Sequence, residues 1–287
     1  MRWCCNEDRD QEEPSVQRNF ETTVSKPNNL LGLEQGVSGV QLSASQEEGS
    51  NLSVHHTISE KEIEEGPSLS ITIKESSAAA VDSVLEINPG GLKDSFRSKY
   101  DGRTFIGSYS EADNDYIIEE EQFGMGARHF VIIYRPELKK YFVKDLGQGT
   151  GTFVRIDNPL VLKDSYIVSF ADSHMATQFF APEDEKIVLK FLEGPKQNEV
   201  YTFTREEKFV LIGRMVDCRI RFDDSNLSRY QCMVAYNEEK GWVLFDGDGD
   251  KKSTNGTWLF VDEEFEIFDG MVFKAGKTLF EAKVISC

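Results

Sequence analysis

The strongest constraint on the fold of this chain is an internal repeat of domain size. Three segments recur in the same order, at offsets of 106, 102 and 105 residues: 104–107 with 210–213, 126–134 with 228–236, and 149–153 with 254–258. A repeat of this length indicates two copies of one fold rather than an array of small units. We place the first copy at residues 82–180 and the second copy at residues 184–287.

Short apolar runs separated by turn residues indicate the fold class. They are rich in Val, Ile, Phe and Tyr: HFVIIY (129–134), KYFVKDL (140–146), GTFVRI (151–156) and SYIVSF (165–170). Regularly spaced short strands of this kind are typical of an all-β sandwich or barrel. The sequence therefore predicts two tandem all-β domains.

Residues 1–80 differ from the rest of the chain. They hold 14 acidic and 6 basic residues, and Ser, Gln, Glu, Asn and Gly dominate. A segment of this composition cannot bury enough apolar surface to offset its chain entropy, so we predict a disordered acidic tail. Within it, Ser68–Ile73 (SLSITI) alternates polar and apolar residues, which predicts an added edge strand.

Composition excludes several classes of function. The formal net charge of −18 argues against a general nucleic-acid binder, because such proteins need a basic surface. No apolar run approaches the roughly 18 residues of a membrane-spanning helix. Five sparse cysteines without a Cys/His cluster predict no metal, no cofactor and an intracellular location, in nucleus or cytoplasm. The Cys4–Cys5 pair is a candidate lipid tether, with two ordinary thiols as the alternative.

Three motifs in the second copy occur in a fixed order. They are Gly213-Arg214, Ser228-x-x-Gln231 and Thr254-Asn255-Gly256-Thr257, with 14 residues from Arg214 to Ser228 and 27 from Ser228 to Asn255. The ordered set on a strand-rich background resembles the forkhead-associated (FHA) domain. That resemblance implies a β-sandwich of about eleven strands that binds phosphothreonine peptides.

The resemblance also implies a set of phosphopeptide-binding residues: Arg214, Ser228, Thr254, Asn255, Arg229 and Asn226. Phosphothreonine carries about −1.5 to −2 charges and three acceptor oxygens, so its site needs a cation and neutral donors. The guanidinium of Arg214 and the hydroxyl of Ser228 supply these. By resemblance, Thr254 adds a phosphate contact and Asn255 holds the ligand backbone.

Two departures from the family pattern matter. Gln231 replaces the family's His, and its amide is expected to brace the loop in the same way. In the first copy, His129 keeps the family position, but Ser108, Gly126 and Thr150 replace the Arg, Ser and Asn of the binding pattern. We therefore predict that the first copy does not bind phosphate, with Arg128 as the alternative source of charge.

The sequence thus predicts a non-enzymatic adaptor that binds phosphothreonine proteins through its second copy. Two alternatives stay open: a phospho-independent scaffold, and a regulatory subunit of a kinase or phosphatase complex. Thr57 and Thr72 each have Glu three residues on, so a phosphorylated tail that occupies the second copy is a route to self-association.

Overall fold

A computed structural model describes residues 57–95, 97, 100–110, 113–119, 124–179 and 185–285. Within these residues the chain forms a short helix, α1 (Glu60–Glu65), a 3-10 turn at Arg205–Glu207 and 21 β-strands. No helix in this part of the chain is long and apolar enough to cross a membrane.

The strands fall into three consecutive groups along the chain. The first group is β1 (Ser68–Glu75), β2 (Val84–Asn88), β3 (Gly91–Leu92), β4 (Arg103–Gly107), β5 (Tyr116–Ile117), β6 (Phe130–Arg135), β7 (Lys140–Asp145) and β8 (Thr152–Arg155). The second group is β9 (Leu160–Val161), β10 (Ile167–Phe170), β11 (Ser173–Gln178), β12 (Lys186–Glu193), β13 (Val200–Thr204), β14 (Phe209–Gly213), β15 (Ile220–Arg221), β16 (Cys232–Asn237), β17 (Gly241–Asp246) and β18 (Trp258–Phe260). The third group is β19 (Phe265–Glu266), β20 (Val272–Ala275) and β21 (Thr278–Ile285).

The strands form one long sheet and two short ones. The long sheet has 11 strands in the order β13-β12-β11-β10-β18-β8-β20-β21-β1-β2-β3. The short sheets have the orders β15-β14-β16-β17-β9 and β19-β7-β6-β4-β5. Strands such as β7 alternate buried and more exposed residues, as expected where one sheet face packs on a core.

Two hydrophobic cores divide the molecule into two sandwiches. One core joins Ile71, Phe130 and Val143 to Phe273 and Phe280, so the third group of strands completes the sandwich that the first group begins. We call this the split sandwich (residues 57–155 and 261–285). The other core is built from the second group alone, and we call it the inserted sandwich (residues 156–260).

The chain crosses between the sandwiches on a pair of antiparallel strands. Strands β8 and β18 pair with the register Trp258↔Arg155, Leu259↔Val154 and Phe260↔Phe153. Reciprocal hydrogen bonds flank the pair, since Ile156 N donates to Thr257 O at 2.8 Å and Val261 N donates to Thr152 O at 3.1 Å. The two sandwiches are thus joined through one continuous sheet.

The sandwiches do not coincide with the sequence repeats 82–180 and 184–287. The last three strands of the first copy, β9–β11, pack in the inserted sandwich, and those of the second copy, β19–β21, pack in the split sandwich. The copies therefore exchange their C-terminal strands. Equivalent strands of a repeat carry the same apolar pattern, so each segment satisfies the other copy's core as readily as its own.

The predicted disordered tail is wrong for residues 57–80, which are structured; residues 1–56 lie outside the described residues. Helix α1 begins after Ser59, whose hydroxyl accepts from Glu62 N. Strand β1 is formed, but it lies between β21 and β2 and is not an edge strand. Alternation reports one buried face and says nothing about how many neighbours a strand has. Thr72 is paired within β1, so its predicted role as a free phosphorylated ligand is also wrong.

Candidate functional site

Arg214 stands at the point where three loops of the inserted sandwich meet. It follows the last residue of β14, Gly213, whose missing Cβ would lie 2.3 Å from Arg229 O. The Arg214 N–H donates to the carbonyl oxygens of Ser228 at 3.3 Å and Arg229 at 3.1 Å. Its side chain is exposed and forms no ion pair with the residues that the structure describes. The guanidinium is therefore available to an anionic ligand.

Ser228, in the loop between β15 and β16, contacts the loop between β17 and β18. Its Oγ accepts a hydrogen bond from Thr254 N at 2.9 Å. Because that bond uses a lone pair, the hydroxyl proton is left to donate outward. The Thr254 side chain is exposed, and its hydroxyl has no hydrogen bond within the described ranges. Hydrogen bonds thus join the loop of Arg214 to that of Ser228, and the loop of Ser228 to that of Thr254.

Asn255 lies in the tight turn before β18. Its backbone carbonyl accepts a hydrogen bond from Trp258 Nε1 at 3.1 Å. Its half-buried side-chain carboxamide forms no hydrogen bond with the described side chains. Gly256 follows with φ +76°, a left-handed conformation that glycine adopts without strain. The fixed turn presents one amide donor and one amide acceptor to a passing peptide backbone.

Gln231 braces this turn as the sequence predicts. Its Nε2 lies 3.0 Å from both Ser253 Oγ and Gly256 O, and 3.2 Å from Thr257 Oγ1. Asp246 completes the brace, since its carboxylate accepts from Ser253 Oγ at 2.6 Å and Thr257 Oγ1 at 2.7 Å. The loop that carries Thr254 and Asn255 is therefore held from beneath by buried polar contacts.

Arg229 and Asn226 lie in the same loop as Ser228, but their side chains form fewer contacts with the other candidate residues. The Arg229 side chain is exposed, and its guanidinium has no carboxylate partner in the described part of the chain. Asn226 is exposed on a turn in which its N–H donates to Asp224 Oδ1 at 2.8 Å. No hydrogen bond between described residues ties Asn226 to Arg214 or Ser228.

Three carboxylates of these loops accept local hydrogen bonds. Asp217 accepts from the Tyr230 hydroxyl at 2.8 Å, and this hydrogen bond raises the pKa of Tyr230. Asp248 accepts from Lys251 N at 2.7 Å, and such backbone donors lower the pKa of Asp248. Asp224 is likewise occupied by Asn226 N. A negatively charged chain thus presents two unpaired guanidinium groups at this rim.

The first copy keeps the loop backbone but not the side chains. Ser108 N donates to Gly126 O at 3.0 Å, the counterpart of Arg214 N to Ser228 O. His129 Nδ1 accepts from Gly126 N at 2.8 Å and holds that loop. A Cβ on Gly126 would lie 2.5 Å from Gln148 Cβ and 2.8 Å from Gly149 N. The space that Ser228 uses in the second copy is therefore filled by the neighbouring loop.

Arg128 is not a free substitute cation. Its guanidinium stacks on the Phe105 ring at 3.6 Å from the ring centroid, and its Nε is buried. Arg97 lies 4.9 Å from the same centroid. A guanidinium held in this way is committed to the surface of the split sandwich.

Sequence reasoning missed one residue beside the site. Arg155, from the first copy, packs on Gly256, with its Cδ 3.2 Å from the position of a Cβ there. No sequence motif signals this contact, because it follows from the pairing of β8 with β18. No metal-binding cluster of His, Cys, Asp or Glu occurs in the described residues.

Comparison with known proteins agrees with this architecture. Residues 104–171 and 210–276 each match the family model of the FHA domain. No curated protein matches the chain. The chain therefore carries two FHA domains in tandem, and FHA domains are phosphopeptide-binding modules.

Proposed function

We propose that the second-copy pocket, formed by Arg214, Ser228, Thr254 and Asn255 with Arg229 and Asn226 on its rim, binds phosphothreonine peptides. The observation that carries the proposal is that the exposed Arg214, which has no ion pair among the described residues, is hydrogen-bonded through its backbone to Ser228, whose hydroxyl proton is left to donate. Hydrogen bonds to a charged group contribute about 1.5–3 kcal/mol each. Two or three of them suit reversible, micromolar binding, which has a binding free energy of about −8 kcal/mol. The chain then acts as a non-enzymatic adaptor.

The first copy takes no part in phosphate binding in this proposal. Its Arg128 is stacked on Phe105, and no side chain fits at Gly126. The split sandwich instead supports the inserted sandwich through the shared sheet. The scaffold and regulatory-subunit alternatives lack a comparable observation in their favour.

The proposal places the adaptor inside the cell, where its phosphorylated partners arise. Tethering at Cys4 and Cys5 stays a prediction, and both residues lie outside the described residues. Self-association through phosphorylated Thr57, which is exposed, also stays a prediction.

The test measures binding of a degenerate phosphothreonine peptide library to the full chain, with unphosphorylated and phosphoserine libraries beside it. Arg214→Ala should weaken phosphothreonine binding by about 2–4 kcal/mol, the value of one bidentate charged pair. Ser228→Ala should weaken it as well. Arg205→Ala, at the opposite end of β14, is the matched control and should bind normally. Binding that is equal for phosphorylated and unphosphorylated peptides and unchanged in all three variants would favour the scaffold, whereas phosphothreonine-selective binding kept by Arg214→Ala would assign activity to the first copy.

A further inference from the structure

The strand exchange places residues of the first copy beside the second-copy pocket. Arg155 is the last residue of β8 and pairs with Trp258. Its stem packs on Gly256, with Cδ and Cγ at 3.2 and 3.3 Å from the position of a Cβ there. Gly256 directly follows Asn255, so Arg155 contacts the neighbour of the residue that holds the ligand backbone in the proposed function.

Arg155 belongs to a cluster of three charged side chains. Its Nε donates to Asp157 Oδ1 at 3.1 Å and Oδ2 at 3.0 Å. Lys252 Nζ donates to Asp157 Oδ1 at 2.7 Å. Lys252 lies two residues before Thr254, so both cations border the same loop as the pocket. Two cations on one carboxylate leave a local charge of +1.

The cluster retains unused donors. Only Nε of Arg155 is engaged, and its terminal nitrogens make no hydrogen bond within the described residues. The Lys252 side chain is 60% exposed and that of Arg155 is 38% exposed. A planar guanidinium with both terminal nitrogens open matches the two oxygens of a carboxylate.

We propose that Arg155 and Lys252 form a subsite for an Asp or Glu side chain of the bound phosphothreonine peptide. The proposal rests on the proposed function, because Asn255 must first hold that peptide. An extended peptide advances about 3.3 Å per residue, so a residue close to the phosphothreonine reaches Arg155. The first copy then contributes to ligand selection although its own pocket is closed.

A purely structural role makes a different prediction. If Arg155 serves only to cover Gly256 and tie the crossing strands together, its loss weakens binding of every phosphopeptide to the same degree. If it forms the subsite, the loss depends on the charge of the peptide flanks. Peptide charge therefore separates the two roles.

The experiment uses the full chain and two synthetic phosphothreonine peptides, one with neutral flanks and one with Glu on both sides of the phosphothreonine. The Arg155→Gln/Lys252→Gln variant should bind the Glu-flanked peptide about fivefold more weakly, since each exposed pair contributes modestly. It should bind the neutral peptide within about twofold of the unaltered chain. High salt should shrink the difference.

Two further variants sharpen the test. Asp157→Asn removes the carboxylate that competes for Arg155 and Lys252, and it should tighten binding of the Glu-flanked peptide. If Asp157 and Arg155 serve only to hold the crossing strands together, the same substitution should weaken binding. Arg135→Gln/Lys140→Gln removes two cations from exposed ion pairs with Glu264 and Glu266 in the split sandwich and controls for net charge. It should leave both peptides unaffected.

The failures are distinguishable. Equal weakening of both peptides, or no weakening of either, overturns the subsite while leaving the proposed function intact. Absence of binding by the unaltered chain to any phosphothreonine peptide overturns both. A gain for Asp157→Asn confined to the Glu-flanked peptide supports the subsite.

Discussion

At the scale of single residues, Ser228 and its counterpart Gly126 show how the two copies of the FHA fold differ. Ser228 fills a space beside Thr254 N, whereas Gly126 is pressed against Gln148 and Gly149. The backbone hydrogen bonds of the two loops are alike, so the two loops differ in side-chain space as well as in charge. Restoring the missing residues would first require moving a neighbouring loop.

Gly126→Ser should therefore fail to rebuild a pocket. Its Cβ meets backbone at 2.8 Å, and overpacking of this kind costs about 1–3 kcal/mol. We expect a lower midpoint of urea unfolding and no phosphopeptide binding when Arg214→Ala disables the second copy. Ala127→Ser, on the exposed neighbour, is the control and should unfold normally. Binding gained by Gly126→Ser would contradict the interpretation.

His174 provides a second residue-scale prediction. It is 5% exposed on β11, where it lines a small cleft between the sandwiches together with Lys274 of β20. Burial, and then the charge of Lys274, lowers the pKa of His174 to about 4. In the unfolded chain, the His174 imidazole takes up a proton near pH 6.5, whereas in the folded chain it stays neutral down to about pH 4. The folded state therefore has its full stability above pH 6.5 and loses stability as the pH falls toward 4.

His174→Gln should flatten this part of the pH profile. The unaltered chain should lose up to about 3 kcal/mol more unfolding free energy than the variant between pH 7 and pH 4. Urea unfolding at several pH values measures this difference. Lys277→Gln, on the exposed turn beside Lys274, should keep the unaltered profile. Parallel profiles for His174→Gln and the unaltered chain would show that His174 does not titrate with folding.

At the scale of elements, β1 holds the split sandwich together. It pairs with β21 on one side and with β2 on the other, and it buries Leu69, Ile71 and Ile73. Deleting one such aliphatic side chain typically costs about 2–5 kcal/mol. A strand at the edge of the sheet would pair with one neighbour, whereas β1 joins β21 to β2, so its loss removes the partner of both strands.

A chain that starts at residue 82 should therefore lose the split sandwich, whereas one that starts at residue 57 should keep it. Thermal unfolding and amide hydrogen exchange of β20 and β21 report this difference. The chain from residue 57 is the control and should match the full chain. Equal protection of β21 in both truncated chains would show that β1 is dispensable.

The sequence predicted the fold class and several of the strands, and the pocket residues stay a prediction. The runs 129–134, 140–146, 151–156 and 165–170 overlap β6, β7, β8 and β10, because their apolar patterns depend only on local residues. The sequence could not predict the exchange of C-terminal strands, because equivalent strands of the two copies have the same apolar pattern. Pairing within a copy and pairing between copies both satisfy that pattern. Arg155 was missed for that reason, whereas the proposed pocket residues come from motifs whose spacing is preserved within one copy.

At the scale of the whole molecule, the inserted sandwich is one uninterrupted stretch of chain. Its three strands β9–β11 precede β12, so it has the order of a circularly permuted FHA domain. The split sandwich, in contrast, needs segments from both sides of it. The order of strands along the chain therefore determines which fragments can fold.

Residues 156–260 should fold alone and bind a phosphothreonine peptide with neutral flanks with an affinity near that of the full chain. The fragment 184–287, which matches the sequence repeat, lacks the buried Val168, Phe170 and Met175 of the inserted core. It should be less stable unless β19–β21 fold back in their place. Urea unfolding and peptide binding of both fragments check this. A more stable 184–287 fragment would show that each copy prefers its own strands.

The pairing of Ser68 with Ile285 has a mechanical consequence. Tension applied between these two residues would pull β1 from β21 in an unzipping geometry, one hydrogen-bonded pair at a time. The sheet joins the inserted sandwich to the split sandwich through β8 and β18, which lie side by side, so this junction would carry no load until the split sandwich had opened. The pocket is thereby sheltered from pulling forces that reach the molecule through those ends.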